Sequence, residues 1–311
     1  MNVSAENINH IKRQGVFALP EHHSFFLKGE DVRRWCNGMF SNNIRRLKPN
    51  KGNRSGICNP KAHIQGFLDI FCIDDNCFLV ILDGISEEEF TKKFAPFMML
   101  DDIELESISD HIVSLQGDSA EEVLAKAGWS IEKDQDMIQT DWGYIVRKDR
   151  FGSRRQSHGF DLISKDPTLL EKNLIEQGAI SIDTPVRDAY RILSLYPSFQ
   201  NEVGRKTFFH ELGVNEECCA FTKGCYVGQE IINRMDVKGI LGKKLQLYRC
   251  ESQLEIGMEC KDGKRSVGQL SSVCQVDGLW YGMGLIRKSA WGKALQIDSL
   301  ILEHIPIEKN Q

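Results

Sequence analysis

Leu68–Ile73 and Cys77–Leu82 are two almost continuously apolar runs joined by Asp74–Asp75–Asn76. Two short apolar runs around an Asp/Asn turn predict a β-hairpin. Neither arm alternates apolar with polar, so the sheet they enter must be covered on both faces. Helices have to supply that cover, and the surrounding sequence provides their signals. Ser86 with Glu89 makes a capping-box pair for a helix through Phe94 that Pro96 soon perturbs, and Ser119 with Glu122 repeats the device before Gly128. Asp166, Pro167 and the later Gly178 bracket a third helix. Thr184 and Pro185 open a fourth that stops near Pro197. Upstream, His22–Gly29 reads as a first strand. Asp31 is placed to cap a helix with Val32, Trp35, Cys36 and Met39 at helical spacing, closed by Ser41–Asn42–Asn43. Mixed strands and capped helices from residue 15 to 235 predict an α+β body.

At Val237 the texture changes. Lys243–Cys250, Ser266–Val273, Trp280–Ile286 and Leu295–Pro306 are strand-like runs separated by glycine or charged turns, without helical periodicity. A small all-β barrel or sandwich is expected there. The division is therefore residues 1–236 for the α+β body and 237–311 for the β-barrel. No Gly/Ser- or Pro-rich linker separates them, and Asp236–Gly242 is the candidate joint, so the barrel is expected to pack on the body.

The 311 residues are 41% apolar and 27% charged with a net charge of −5, which argues against a general polyanion binder. A local basic groove stays open: Arg45–Arg46–Leu47–Lys48 is one cluster, and Arg147–Lys148–Asp149–Arg150 with Arg154–Arg155 is another. Either is a solvated surface, or the two line one groove for a polyanion such as tRNA. Met1–Arg13 is polar and no apolar run approaches the ~20 residues that span a bilayer, so a cytoplasmic protein without membrane contact is expected. The ten cysteines contain no Cys-x-x-Cys pair, and Cys36, Cys58, Cys72, Cys77 and Cys250 sit among apolar residues. Free thiols in a reducing compartment fit this usage. A zinc site from Cys218, Cys219, Cys225 and His210 is the competing use, and no metal is expected.

One cysteine differs in setting. In Lys223–Gly224–Cys225–Tyr226–Val227–Gly228–Gln229–Glu230, two glycines bracket a thiol preceded by a lysine. The glycines predict a sharp turn presenting Cys225. Lys223 and a helix starting at Gln229 both favour thiolate over thiol, and Glu230 can pair with Arg234 one turn on. The bland reading is a tight turn with a buried, inert cysteine. Upstream, Arg187 and Arg191 lie one helical turn apart, either as a solvated face or as a clamp for a carboxylate.

The octapeptide with Arg234 resembles the signature of the folate-binding YgfZ proteins and their mitochondrial Iba57 relatives, which share a fold with the aminomethyltransferase (T-protein) of the glycine cleavage system. Leu27-x-Gly29-x-Asp31 followed by Ser41–Asn42, Asn59–Pro60–Lys61–Ala62–His63, and Arg187–Asp188–Ala189–Tyr190–Arg191 are weaker matches in the same order. The resemblance implies two related α+β lobes and a terminal β-barrel around a central cavity, with tetrahydrofolate or a derivative as cofactor. It implies a protein supporting assembly or repair of iron–sulfur proteins, tRNA-modifying enzymes among its clients. Cys225 and Lys223 would be the working residues; Gly224, Tyr226, Gly228, Gln229, Glu230 and Arg234 would shape the loop. Arg187 and Arg191 would hold the folate's glutamate tail. The alternatives are a folate-dependent aminomethyl or one-carbon transferase and a non-enzymatic tRNA-binding accessory protein. T-proteins carry an aspartate just past the Pro-Lys-Gly turn, where Gln65–Gly66–Phe67 stand here. Asp69 is the acid a transferase would have to use, two or three residues away.

Overall fold

The computed structural model describes residues 3–20, 22–108, 110–151, 159–239 and 241–307. The chain opens with helix α1 (Ala5–Gln14), strands β1 (Gly15–Ala18) and β2 (His23–Lys28), and helix α2 (Val32–Met39). The predicted hairpin follows as β4 (Ile64–Asp74) and β5 (Cys77–Asp83), preceded by β3 (Gly52–Cys58) and followed by α3 (Glu87–Met98). Then come β6 (Glu104–Ser107), β7 (His111–Gln116), α4 (Ala120–Lys126), β8 (Met137–Gln139), β9 (Gly143–Arg147), β10 (Gly159–Ser164), α5 (Pro167–Glu176), β11 (Ile180–Ser181) and α6 (Thr184–Leu193). Short helices α7 (Phe199–Glu202), α8 (Phe209–Leu212) and α9 (Asn215–Cys218) lead to α10 (Gln229–Lys238). The remaining strands are β12 (Lys243–Cys250), β13 (Glu259–Asp262), β14 (Arg265–Val276), β15 (Leu279–Arg287), β16 (Leu295–Ile297) and β17 (Leu300–Ile305).

These strands form two sheets, in the orders β3-β4-β5-β2-β6 and β11-β1-β7-β10-β9-β8, and a closed barrel β12-β15-β14-β13-β16-β17. The arms of the hairpin are buried almost throughout, as their unbroken apolarity demands. One face of their sheet packs under α2 and α3, where Trp35, Phe40, Phe90 and Phe94 meet Phe25, Leu68 and Val80. The opposite face contributes Phe71, Leu79 and Ile81 to a core shared with the second sheet, α1 and α6.

Several local signals act as expected. Ser86 and Glu89 form the capping box, and Asp166 accepts from the Leu169 N–H ahead of α5. Others do not. Asp31 caps nothing, because its carboxylate takes the Asp102 N–H and the Arg34 guanidinium. Ser119 makes no side-chain cap. Helix α3 runs through Pro96 to Met98. Of the basic cluster at 147–150, Lys148 and Arg150 are buried, and Arg147 turns its guanidinium onto the Ile131 and Gln135 carbonyls. Arg154 and Arg155 lie outside the described residues.

The barrel is fastened to the body by apolar contact and by charge. Ile192 of α6 packs on Leu245, Leu247 and Met283. Arg191 donates to Ser272 Oγ at 3.0 Å, while Glu202 of α7 accepts from Ser271 and Ser272 at 2.7 and 2.6 Å.

Candidate functional site

A cavity of about 370 Å³ opens between the two sheets, walled by Phe17, Leu19, His22, Arg54, Asp83, Arg150, Phe151, Tyr196 and the Arg187–Arg191 segment of α6. Sheet register sets its polar floor. Arg54 of β3 stands opposite Asp69 of β4, and its guanidinium donates to Asp69 Oδ2 at 3.2 Å and to Asp83 Oδ2 at 2.6 Å. Lys148 donates to the other Asp69 oxygen at 2.6 Å. Arg150 pairs with Asp161 and donates to His22 Nε2 at 2.8 Å, so the chain of charges runs from one sheet into the other.

Burial alone would raise the Asp83 and Asp69 pKa values, but the adjacent cations outweigh it. Arg54, by its charge and its hydrogen bond, holds Asp83 well below the ordinary carboxylate range, and Lys148 and Arg54 hold Asp69 down. His22 falls to about 3, from burial and then from Arg150, and is therefore a neutral imidazole near neutral pH. Burial pushes the Tyr196 phenol far up, and its hydroxyl has no hydrogen-bond partner among the described residues. The cavity thus offers a fixed carboxylate acceptor at Asp83, a neutral imidazole, and a phenol donor in need of an acceptor. Asp69 does not line it; both its oxygens are held by cations.

The two arginines of α6 part company. Arg187 lines the cavity beside the Phe17 ring, 5.8 Å from its centroid. Arg191 also reaches the wall, but its guanidinium is buried on Glu202 at 3.0 Å, the Tyr196 carbonyl and Ser272. A second cavity, about 430 Å³, lies between α7 and the barrel, and Asn201 borders both. Its buried acid Glu202 is already satisfied by Arg191, Ser271 and Ser272, so the poised chemistry lies in the first cavity.

The octapeptide folds as a turn ending in α10, with Gly228 at φ +81° as the helix's N-cap. A Cβ there would stand 3.0 Å from Asn59 O and Cys58 Sγ, so the loop seats tightly on the Asn59–Ala62 turn. The Cys58 thiol donates to Val227 O at 3.0 Å, and Gln229 Nε2 closes the turn on Lys223 O at 3.2 Å. Tyr226 is buried with the Lys223 ammonium 4.5 Å from its ring centroid. Lys223 directs that ammonium to the carbonyls of Asn37, Phe40 and Asn42, a cap for the end of α2. Burial lowers its pKa to about 8. Cys225 is exposed, while Cys218 and Cys219 are buried. Gly224, Glu230 and Arg234 are exposed. Neither Cys225 nor Lys223 lines either cavity.

Sequence reasoning brought forward Arg187, Arg191 and the octapeptide; it missed His22, Arg54, Asp83, Arg150 and Tyr196. These residues come from strands and loops far apart in the chain, and the available signal was weak: a lone arginine, Arg54, in a polar stretch facing the two acids of an apolar hairpin, Asp69 and Asp83.

No family model matches the chain. Among curated proteins it is 24% identical over 247 residues to the aminomethyltransferase of Caldanaerobacter subterraneus subsp. tengcongensis, covering 74% of this chain and 64% of that protein, under two thirds of its length. It is 25% identical over 270 residues to the tRNA-modifying protein YgfZ of Hamiltonella defensa, covering 81% and 77% of the two chains. The YgfZ of Aliivibrio fischeri is 24% identical over 248 residues, covering 78% and 72%. Among solved structures, the glycine cleavage system aminomethyltransferase T of Bartonella henselae superposes with a TM-score of 0.83 at 14% identity, covering 97% of this chain and 88% of that one. The chain has the aminomethyltransferase (T-protein) fold. In sequence it is similar both to aminomethyltransferases and to the tRNA-modifying YgfZ proteins.

Proposed function

We propose that the chain binds tetrahydrofolate or a derivative in the cavity between its sheets. In this reading it supports assembly or repair of iron–sulfur proteins, tRNA-modifying enzymes among them, in the reducing cytoplasm. The observation that carries the ligand is the polar floor. A pterin edge presents N–H donors beside a carbonyl acceptor, which complement an ionised Asp83 and the unsatisfied Tyr196 hydroxyl. Arg187 at the wall suits the anionic tail. The YgfZ relatives, named as tRNA-modifying proteins, support the cellular setting. Cys225, exposed on its anchored loop, is the thiol that would meet a client or its cluster.

The resting state of Asp69 weighs against aminomethyl transfer, because both of its oxygens are engaged by the buried cations Arg54 and Lys148 and it does not line the cavity. Calorimetric titration with tetrahydrofolate, paired with a turnover assay on an aminomethylated carrier, separates the readings. Saturable one-site binding without turnover is expected. Turnover would establish the transferase, and absence of binding would remove the folate reading altogether.

A further inference from the structure

The second cavity, about 430 Å³, has the size of a small-molecule site, and the proposed function leaves it unused. Helix α7 and the loop after it wall one side, and strands of the barrel wall the other. Lys243 opens β12 and Arg287 closes β15, and the ladder sets these two cations directly opposite each other. Residues so paired leave the sheet on one face with Cβ atoms ~4.5–5.5 Å apart, and like charges in that relation repel. Both line the cavity.

The neighbouring carboxylates leave that repulsion only partly offset. Glu211 stands 3.6 Å from Lys243, whereas Arg287 forms no ion pair among the described residues. The two acids that line the cavity are committed elsewhere: Glu202 to Arg191 at 3.0 Å and Glu259 to Lys261 at 3.5 Å. Facing cations of this kind are completed by an anion placed between them. A carboxylate has two oxygens, which one guanidinium can take bidentately. A phosphate monoester brings ~1.5–2 negative charges and three terminal oxygens, enough for both cations.

The rest of the lining defines what the phosphate is attached to. Asn201, Ser266, Gln269 and Ser271 supply amides and hydroxyls. Among the described residues Leu285 is the one apolar side chain in the wall, and no aromatic ring lines it. A nucleobase finds no stacking platform there, while a polyhydroxylated chain finds donors and acceptors for its hydroxyls.

We infer that the second cavity binds a sugar phosphate, its phosphate between Lys243 and Arg287 and its hydroxyls turned to α7 and β14. Such a ligand touches the body and the barrel at once and bridges them. The site shares only Asn201 with the first cavity, and the inference does not rest on folate binding.

The test titrates the full chain calorimetrically with ribose 5-phosphate, glucose 6-phosphate, ribose and inorganic phosphate, with melting temperatures alongside. At least one sugar phosphate should bind at one site with a Kd below about 1 mM and raise the melting temperature. Ribose and inorganic phosphate should each bind at least about tenfold more weakly. Arg287→Glu should weaken the sugar phosphate by roughly ten- to a hundredfold, and Arg287→Gln gives the same reading should the charge reversal disturb folding. Lys288→Glu alters the adjoining cation, exposed and outside the lining, and should change affinity by less than about threefold at physiological salt. Tetrahydrofolate should not displace the sugar phosphate. The inference is overturned if neither sugar phosphate binds, or if inorganic phosphate binds as tightly, which would leave an anion hole alone. Equal losses from Lys288→Glu and Arg287→Glu would overturn it by showing a diffuse field, and displacement by tetrahydrofolate would do so by placing the ligand in the first cavity.

Discussion

Lys223 Nζ lies 2.7 Å from the backbone oxygen of Asn37, and this contact joins the octapeptide to the end of α2. Two further carbonyls, of Phe40 and Asn42, complete the ammonium's shell at 2.5 and 2.6 Å. The lysine of the signature is therefore a cap and an anchor. It fixes where Cys225 stands without facing it.

Lys223→Met should then act on stability. Hydrogen bonds to a charged donor contribute about 1.5–3 kcal/mol, and the three carbonyls would be left to find water. A fall of that size in urea unfolding is expected, with Cys225 still exposed. An unchanged midpoint would show that the carbonyls are satisfied equally well without the ammonium.

The buried network makes stability depend on acid. Unfolded, His22 takes up a proton below its ordinary 6.5; folded, it resists until about 3. Between those values the unfolded chain binds more protons, so stability falls as pH falls. Asp83 and Asp69, both held below their ordinary value, add to the loss in the same direction once pH drops below about 4. The melting temperature should decline from pH 6.5 downward and steepen below 4, and His22→Gln should flatten the upper part of that decline. A midpoint independent of pH between 6.5 and 4 would contradict a neutral, buried His22.

Arg187 and Arg191 should separate in their effects. Arg187 lines the cavity wall, so Arg187→Ala should weaken tetrahydrofolate binding by roughly ten- to a hundredfold with little change in stability. Arg191 is spent on Glu202 and Ser272, between body and barrel. Its loss strands the buried Glu202 and should cost about 3–5 kcal/mol. Calorimetry and denaturant melts on both variants read the two quantities independently, and equal effects from the two would sink the assignment.

How much of this was legible depends on whether the cause was local. The apolar arms of β4 and β5, the Ser86 capping box and the glycine bracket around Cys225 are short-range patterns, and each produced the element it implied. Strand β3 was not legible: Gly52–Cys58 is polar and glycine-rich, and it becomes a strand because Arg54 finds Asp69 across the ladder and Asp83 one strand beyond. The role of Lys223 was equally hidden, since its partners are backbone oxygens, which no side-chain pattern announces. Asp31 shows the converse failure. Its local setting is that of a cap, but Arg34 and the Asp102 N–H compete for the carboxylate and win.

Cys225 is the remaining test, and it turns on access. Of the ten free cysteines it is the one that stands exposed. Burial drives the Cys58, Cys260 and Cys274 thiols up to about 12 and Cys77 to about 11, so these are protonated and shielded near neutral pH. Iodoacetamide should therefore modify Cys225 first, and peptide mapping after a brief exposure will show it. Cys225→Ser changes one exposed atom, so its effect on stability should stay within about 0.5 kcal/mol. If the thiol serves iron–sulfur clients, the serine variant should nevertheless fail to restore iron–sulfur enzyme activity in a strain lacking its own YgfZ. A Cys225 that labels no faster than Cys58, in a variant that complements fully, would leave the octapeptide as a structural turn and nothing more.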